Sequence, residues 1–184
     1  MPIWAIVLIA VAAVVVLWLI VTYNKLVNLR ARVKNAWAQI DVNLKRRFDL
    51  IPNLVSTVKG YAAHESGTLE KVVEARSHYE TAATPAERME ASNELTSTLS
   101  KLMLLVENYP DLKANQNFLD LQNELRTTED KIAFTRQFYN DTVMKLNAKL
   151  ETFPTVMVAG MFGFRAEPYF EAEEEAAKAP KVEF

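Results

Sequence analysis

Two histidines, His64 and His78, and a scatter of carboxylates are the residues of this 184-residue chain whose types could support chemistry. A carboxylate-bridged di-iron bundle needs inward-facing Glu-x-x-His pairs on two helices and further Glu ligands. The positions three before the histidines are Tyr61 and Ala75, so neither pair exists. His64-Glu65 lacks the second histidine of His-Glu-x-x-His, because Thr68 stands in its place. There is no cysteine, no Gly-x-Ser-x-Gly and no phosphate-cradling glycine loop, which leaves acyl and phosphoryl transfer without visible machinery. Asp41, Asp49, Glu124, Asp130 and Asp141 are candidates for pairing across helices, and structural ion pairs are far commoner than catalytic dyads. The sequence therefore reads as a non-enzyme, with no catalytic, metal or cofactor-binding residues and no cofactor.

Lys45-Arg46-Arg47 is the compact basic cluster and a candidate partner contact. Its structural alternative is a solvated face whose salt bridges lie inside a bundle. If its helix runs on from the N-terminal segment, Arg47 lies about 36 Å beyond Tyr23, several Debye lengths from any lipid headgroup.

What would position these residues begins with an apolar run. No charge occurs before Lys25, and Ile3 to Val21 is almost wholly aliphatic. At 1.5 Å per residue such a helix just crosses a hydrocarbon core of roughly 30 Å. Trp4 near one end, with Trp18 and Tyr23 near the other, fits the interfacial belt, and Lys25 and Arg30 stand close enough to meet anionic lipid. A cleaved signal would need a basic n-region, a shorter apolar core and a small-residue cleavage site, and none is present. Lys25, Arg30, Arg32 and Lys34 follow the span and no cation precedes it, so the expected topology is N-terminus out and C-terminal domain in the cytoplasm. The absence of cysteine agrees with a reducing compartment.

The remaining residues, 25–184, suffice for one domain. Lys and Arg number 21 against 23 Asp and Glu, which excludes the basic footprint of a nucleic-acid-binding domain. Only four glycines occur, so the chain is expected to be helical.

Leu26, Leu29, Val33, Trp37, Ile40, Leu44, Phe48, Ile51, Val55 and Val58 recur at spacings of three and four, the period of an amphipathic helix. Pro52 predicts a kink rather than a stop, because the stripe resumes on the same face. Gly60 to Gly67 is the expected break. A second helix is expected from Thr68 to about Ala82, with Leu69, Val72, Val73 and Tyr79 inward. Thr84-Pro85-Ala86-Glu87 is a capping box with proline at the first helical position, opening a third helix that ends near Asn108. The fourth runs from roughly Ala114 to Glu151. Phe118, Leu125, Ile132, Tyr139, Leu146 and Phe153 recur every seven residues, while the companion seam, Leu121, Thr128, Thr135 and Thr142, is weaker than a strict coiled coil wants. A long bundle helix, antiparallel to the first, fits better.

The expected fold is thus all-α: a transmembrane anchor over 1–24, an elongated antiparallel bundle of about four helices over 25–153, an apolar segment over 154–170 and an acidic, disordered tail over 171–184. The apolar segment lacks helical spacing and must be covered, either by folding back on the bundle or by docking on a neighbouring copy. Met161, Phe162 and Phe164 are its candidate partner contacts.

Several stretches resemble the LemA family. They are Arg32 to Leu54, Val58 to Glu65, Asn108 to Leu119, and Phe138 to Asn147 with Phe153-Pro154 behind it. The resemblance covers essentially the whole length, with its motifs in family order. It implies a bacterial inner-membrane protein with its N-terminus outside and an antiparallel helical bundle inside. It supplies no activity, since the family has no established enzymatic mechanism, and it extends to distant relatives associated with magnetosome membranes.

The functional expectation is a non-enzymatic, single-pass scaffold or assembly factor at the inner face of the bacterial inner membrane. Its expected partners are the lipid bilayer, a homo-oligomer or a membrane protein, and not nucleic acid. Two alternatives stand beside it: an accessory or sensor subunit of an envelope-stress or membrane-protease system, and an enzyme built on bundle carboxylates.

Overall fold

The computed structural model describes residues 2–62 and 64–170, so the expected acidic tail lies outside the described residues. Among these residues six helices follow one another: α1 (Ile3–Tyr61), α2 (Ser66–Thr81), α3 (Pro85–Val106), α4 (Pro110–Lys113), α5 (Gln116–Glu151) and α6 (Thr155–Met161). No strand occurs among the described residues, and the fold is all-α. The expectation of four helices omitted the four-residue α4 and also α6, which forms in the segment expected to lack helical order.

α1 is 59 residues long and continues through Pro52. Its N-terminal part is long and apolar enough to cross a membrane, with a window of mean hydropathy 3.1, none of it buried. A core helix of the same composition would be covered by protein, and this one is not.

The chain divides into two units, Met1–Ala38 with Gln137–Tyr169, and Gln39–Arg136 with Phe170–Phe184. In the second unit the α1 stripe of Ile40, Leu44, Phe48, Ile51, Leu54 and Val58 is buried, as are Leu69, Val72 and Tyr79 of α2. Val73, expected inward, is instead 48% exposed, because its neighbour Val72 takes the inward position. The capping box of α3 is formed: Glu87 N–H donates to Thr84 Oγ1, and Glu87 Oε2 accepts from Thr84 N–H. α5 is antiparallel to α1 here, since Asn115 at its start meets the Tyr61 hydroxyl and Glu124 meets Arg46.

The weak seam of α5 is also core. Thr128, Thr135 and Thr142 are buried, and each hydroxyl donates to the carbonyl four residues back, of Glu124, Lys131 and Phe138. A threonine whose hydroxyl is satisfied within its own helix presents mainly its methyl group to the core. Composition thus understated this face.

In the first unit Leu26, Val33 and Ala36 of α1 are buried, as are Tyr139, Val143 and Leu146 of α5. Trp37 and Tyr139 meet edge to face with centroids 5.8 Å apart. α6 buries Val158 and Ala159 and then ends in a Schellman turn. Gly163 takes φ +67°, Phe164 N–H donates to Ala159 O at 3.0 Å, and Gly163 N–H reaches Gly160 O. Beyond the turn, Asn147 clamps the backbone of Glu167 by two hydrogen bonds, and Tyr139 donates to Pro168 O at 2.9 Å. The apolar segment therefore lies in cis against its own chain.

Candidate functional site

In the second unit, polar groups gather around Arg47. This side chain falls on the core stripe, three residues after Leu44 and four before Ile51, and it is fully shielded from solvent. A buried guanidinium must have its charge and its N–H groups matched. Nη1 donates to Thr96 Oγ1 and Glu129 Oε2, both at 2.8 Å, and Nη2 donates to Ser92 O at 2.9 Å and Ser92 Oγ at 2.7 Å. Arg136 Nη2 reaches the same Ser92 Oγ at 2.8 Å. This cluster ties α1, α3 and α5 together.

The expectation that Arg47 is a partner contact is therefore corrected: a buried side chain held by internal acceptors cannot meet a partner. Its neighbours differ. Arg46 is exposed and pairs with Glu124, and Lys45 is exposed. Sequence reasoning missed Ser92, Thr96, Glu129 and Arg136. The available signal was an arginine at a position the hydrophobic period assigns to the core.

Asp41 and Glu124, two of the candidate carboxylates, are engaged in ion pairs. Asp41 accepts from Arg88 Nη1 at 2.6 Å and from the Tyr79 hydroxyl at 2.9 Å, while Tyr79 stacks on Phe48 with centroids 3.7 Å apart. Burial, then the bond to Asp41, pushes the Tyr79 phenol above its ordinary range. The two histidines are both exposed. His78 Nδ1 lies 2.8 Å from Glu94 Oε2, and this bond raises the His78 pKa above its ordinary 6.5. Among the described residues no group of three or more His, Asp or Glu side chains is placed to hold a metal ion. A groove of about 690 Å³ runs between α3 and α5 of this unit, with Leu99, Met103, Leu104 and Leu125 along it and Glu107, Arg126 and Glu129 at its edges.

In the first unit the expected interfacial residues stand along one helix. Trp4 is well exposed, while Trp18 and Tyr23 are on the margin of exposure. Trp18, Thr22 and Lys25 line a cleft of about 240 Å³ with Lys149 of α5 and Thr155 of α6. The Phe162 ring lies 4.8 Å from Tyr23, and Phe164 lies 5.9 Å from Tyr23 and 4.9 Å from the Arg30 guanidinium. Phe164 is thus largely occupied within the chain, whereas Met161 is 72% and Phe162 54% exposed. Tyr139, buried and facing Glu167, has its phenol pKa pushed up to about 12, chiefly by burial.

With this geometry in place, comparison with known proteins is specific. The LemA family model matches residues 36–184. Protein LemA of Metamycoplasma hominis is 29% identical over 82% of this chain and 69% of its own length. Magnetosome protein MamQ 2 of Paramagnetospirillum magneticum is 25% identical over 98% of this chain and 76% of its own. Magnetosome protein MamQ of Magnetospirillum gryphiswaldense is 23% identical over 89% of this chain and 70% of its own.

Proposed function

Since the chain belongs to the LemA family, we propose that it is a non-enzymatic scaffold or assembly factor, held by its N-terminal helix at the inner face of a bacterial plasma membrane. The observation that carries this reading is how the polar side chains are used. Arg47, Arg46, Asp41 and His78 all make hydrogen bonds to partners that join helices of the second unit. Such a network fixes a shape rather than a reaction centre. Similarity to a LemA protein and to magnetosome proteins over most of the chain supports a role built on anchor and bundle together.

Orientation rests on the cations that follow the span. Lys25, Arg30, Arg32 and Lys34 support a topology with residues 25–184 in the cytoplasm and residue 1 outside. A single cysteine at Glu174 would stay unlabelled by an impermeant maleimide in intact spheroplasts and react once they are opened. Labelling of the intact spheroplasts would reverse the topology.

A scaffold acts through contacts, made with further copies or with another membrane protein. Lys45 is an exposed member of the basic cluster and Lys101 an exposed residue of α3, so each suits a photo-crosslinking amino acid in growing cells. Discrete protein adducts are expected from at least one of the two sites. Uncrosslinked monomer from both would count against the scaffold.

A further inference from the structure

α6 reads Thr-Val-Met-Val-Ala-Gly-Met and carries no charge on any face. A helix on a water-exposed protein surface turns polar residues outward, yet here the inward face is Val158 and Ala159 while Val156, Met157 and Met161 point away from the protein. Met157 is 60% and Met161 72% exposed, and the flanking Phe153 and Phe162 extend the same apolar surface. Both faces of this helix therefore call for an apolar neighbour, and the chain supplies only one.

The location identifies the other. Thr155 lines a cleft with Trp18 and Thr22, and Phe162 packs on Tyr23, so α6 lies beside the turn of α1 where the apolar run from Ile3 to Val21 ends. That run is about 28 Å long, which puts its end at the boundary between acyl chains and headgroups. Cations border the patch. Lys25 and Lys149 line the same cleft, and Arg30 stacks on Phe164. An apolar face bordered by lysine and arginine at that level is the pattern of a segment lying in the membrane interface.

We propose that α6 is an interfacial helix, with Met157, Met161 and Phe162 inserted into the same leaflet that α1 leaves, and with Lys25 and Lys149 facing its anionic headgroups. The bilayer, not a second copy, covers the apolar patch. The clamp by Asn147 and the Schellman turn at Gly163 hold α6 at that level. The inference rests on α1 being a membrane anchor and is independent of the scaffold role.

The test uses the full chain, which has no native cysteine. Met157→Cys, Met161→Cys and Lys101→Cys are each spin-labelled and reconstituted one chain per nanodisc, in phosphatidylglycerol mixed with phosphatidylcholine. Oxygen and a water-soluble nickel chelate are compared as relaxants. An oxygen-to-nickel accessibility ratio at 157 and 161 several-fold above that at 101 is the expected result. Labels at 157 and 161 as open to nickel as the one at 101 would overturn the proposal, and would assign the patch to a neighbouring copy if they became protected only in discs holding several chains. Val11→Cys reports the anchor separately: a water-exposed label there removes the anchor and this inference with it, whereas a deep label at 11 with shallow ones at 157 and 161 removes the inference alone.

Discussion

Nη1 of Arg47 and Oε2 of Glu129 lie 2.8 Å apart, with the arginine wholly shielded from water and the glutamate side chain still 38% exposed. The pair is unequal. Losing the glutamate leaves a charge in the core, whereas losing the arginine leaves a carboxylate that water can reach. Glu129→Gln is therefore expected to destabilise the second unit by about 2 kcal/mol, below the 3–5 kcal/mol typical of fully buried pairs because Glu129 is partly wet. Glu124→Gln, which breaks the exposed pair with Arg46, should cost under about 1 kcal/mol. Thermal melts followed by circular dichroism compare the two, and equal losses would mean that burial of Arg47 does not govern the cluster.

Ile132 is completely buried on the central seam of α5. Ile132→Asp places a carboxylate there without a partner, and a loss of several kcal/mol is expected. A melt within a few degrees of the parent would show that this seam is not core.

The start of α3 depends on its capping box. Thr84→Ala is expected to cost about 1 kcal/mol. Hydrogen bonds from the Thr84 and Ala83 backbone N–H groups hold the Glu87 carboxyl below its ordinary 4.5. Its contribution to stability is therefore present above that value and is lost as pH falls through the depressed one. Acid denaturation of Glu87→Gln should show less of this dependence than the parent.

His78 carries the opposite sign. Its bond to Glu94 raises its pKa above 6.5, so its contribution is fully present below 6.5 and fades as pH rises through the raised value. Histidine proton shifts followed by NMR should titrate at higher pH for His78 than for the same residue in Glu94→Gln. Coincident titrations would show that the bond does not hold in solution.

The helices α1, α2, α3 and α5 could be read from periodicity and punctuation, because apolar spacing and the Thr84-Pro85 cap are local signals. What escaped was set by tertiary contact. The threonine seam looked polar because a hydroxyl satisfied by its own helix is indistinguishable in composition from an exposed one. Arg47 looked like surface because arginine usually is, and only its register among Leu44, Phe48 and Ile51 pointed inward. α6 lacked the amphipathic pattern used to find helices, since its outward face is apolar as well.

Native mass spectrometry of the full chain, released from its membrane in mild detergent, tests the scaffold reading most directly. A stoichiometric complex is expected, either several copies of this chain or this chain with a second membrane protein, and its mass should be accounted for by protein and lipid. A lone monomer carrying a stoichiometric metal ion or organic cofactor would contradict it and return the bundle carboxylates to consideration as a reaction centre.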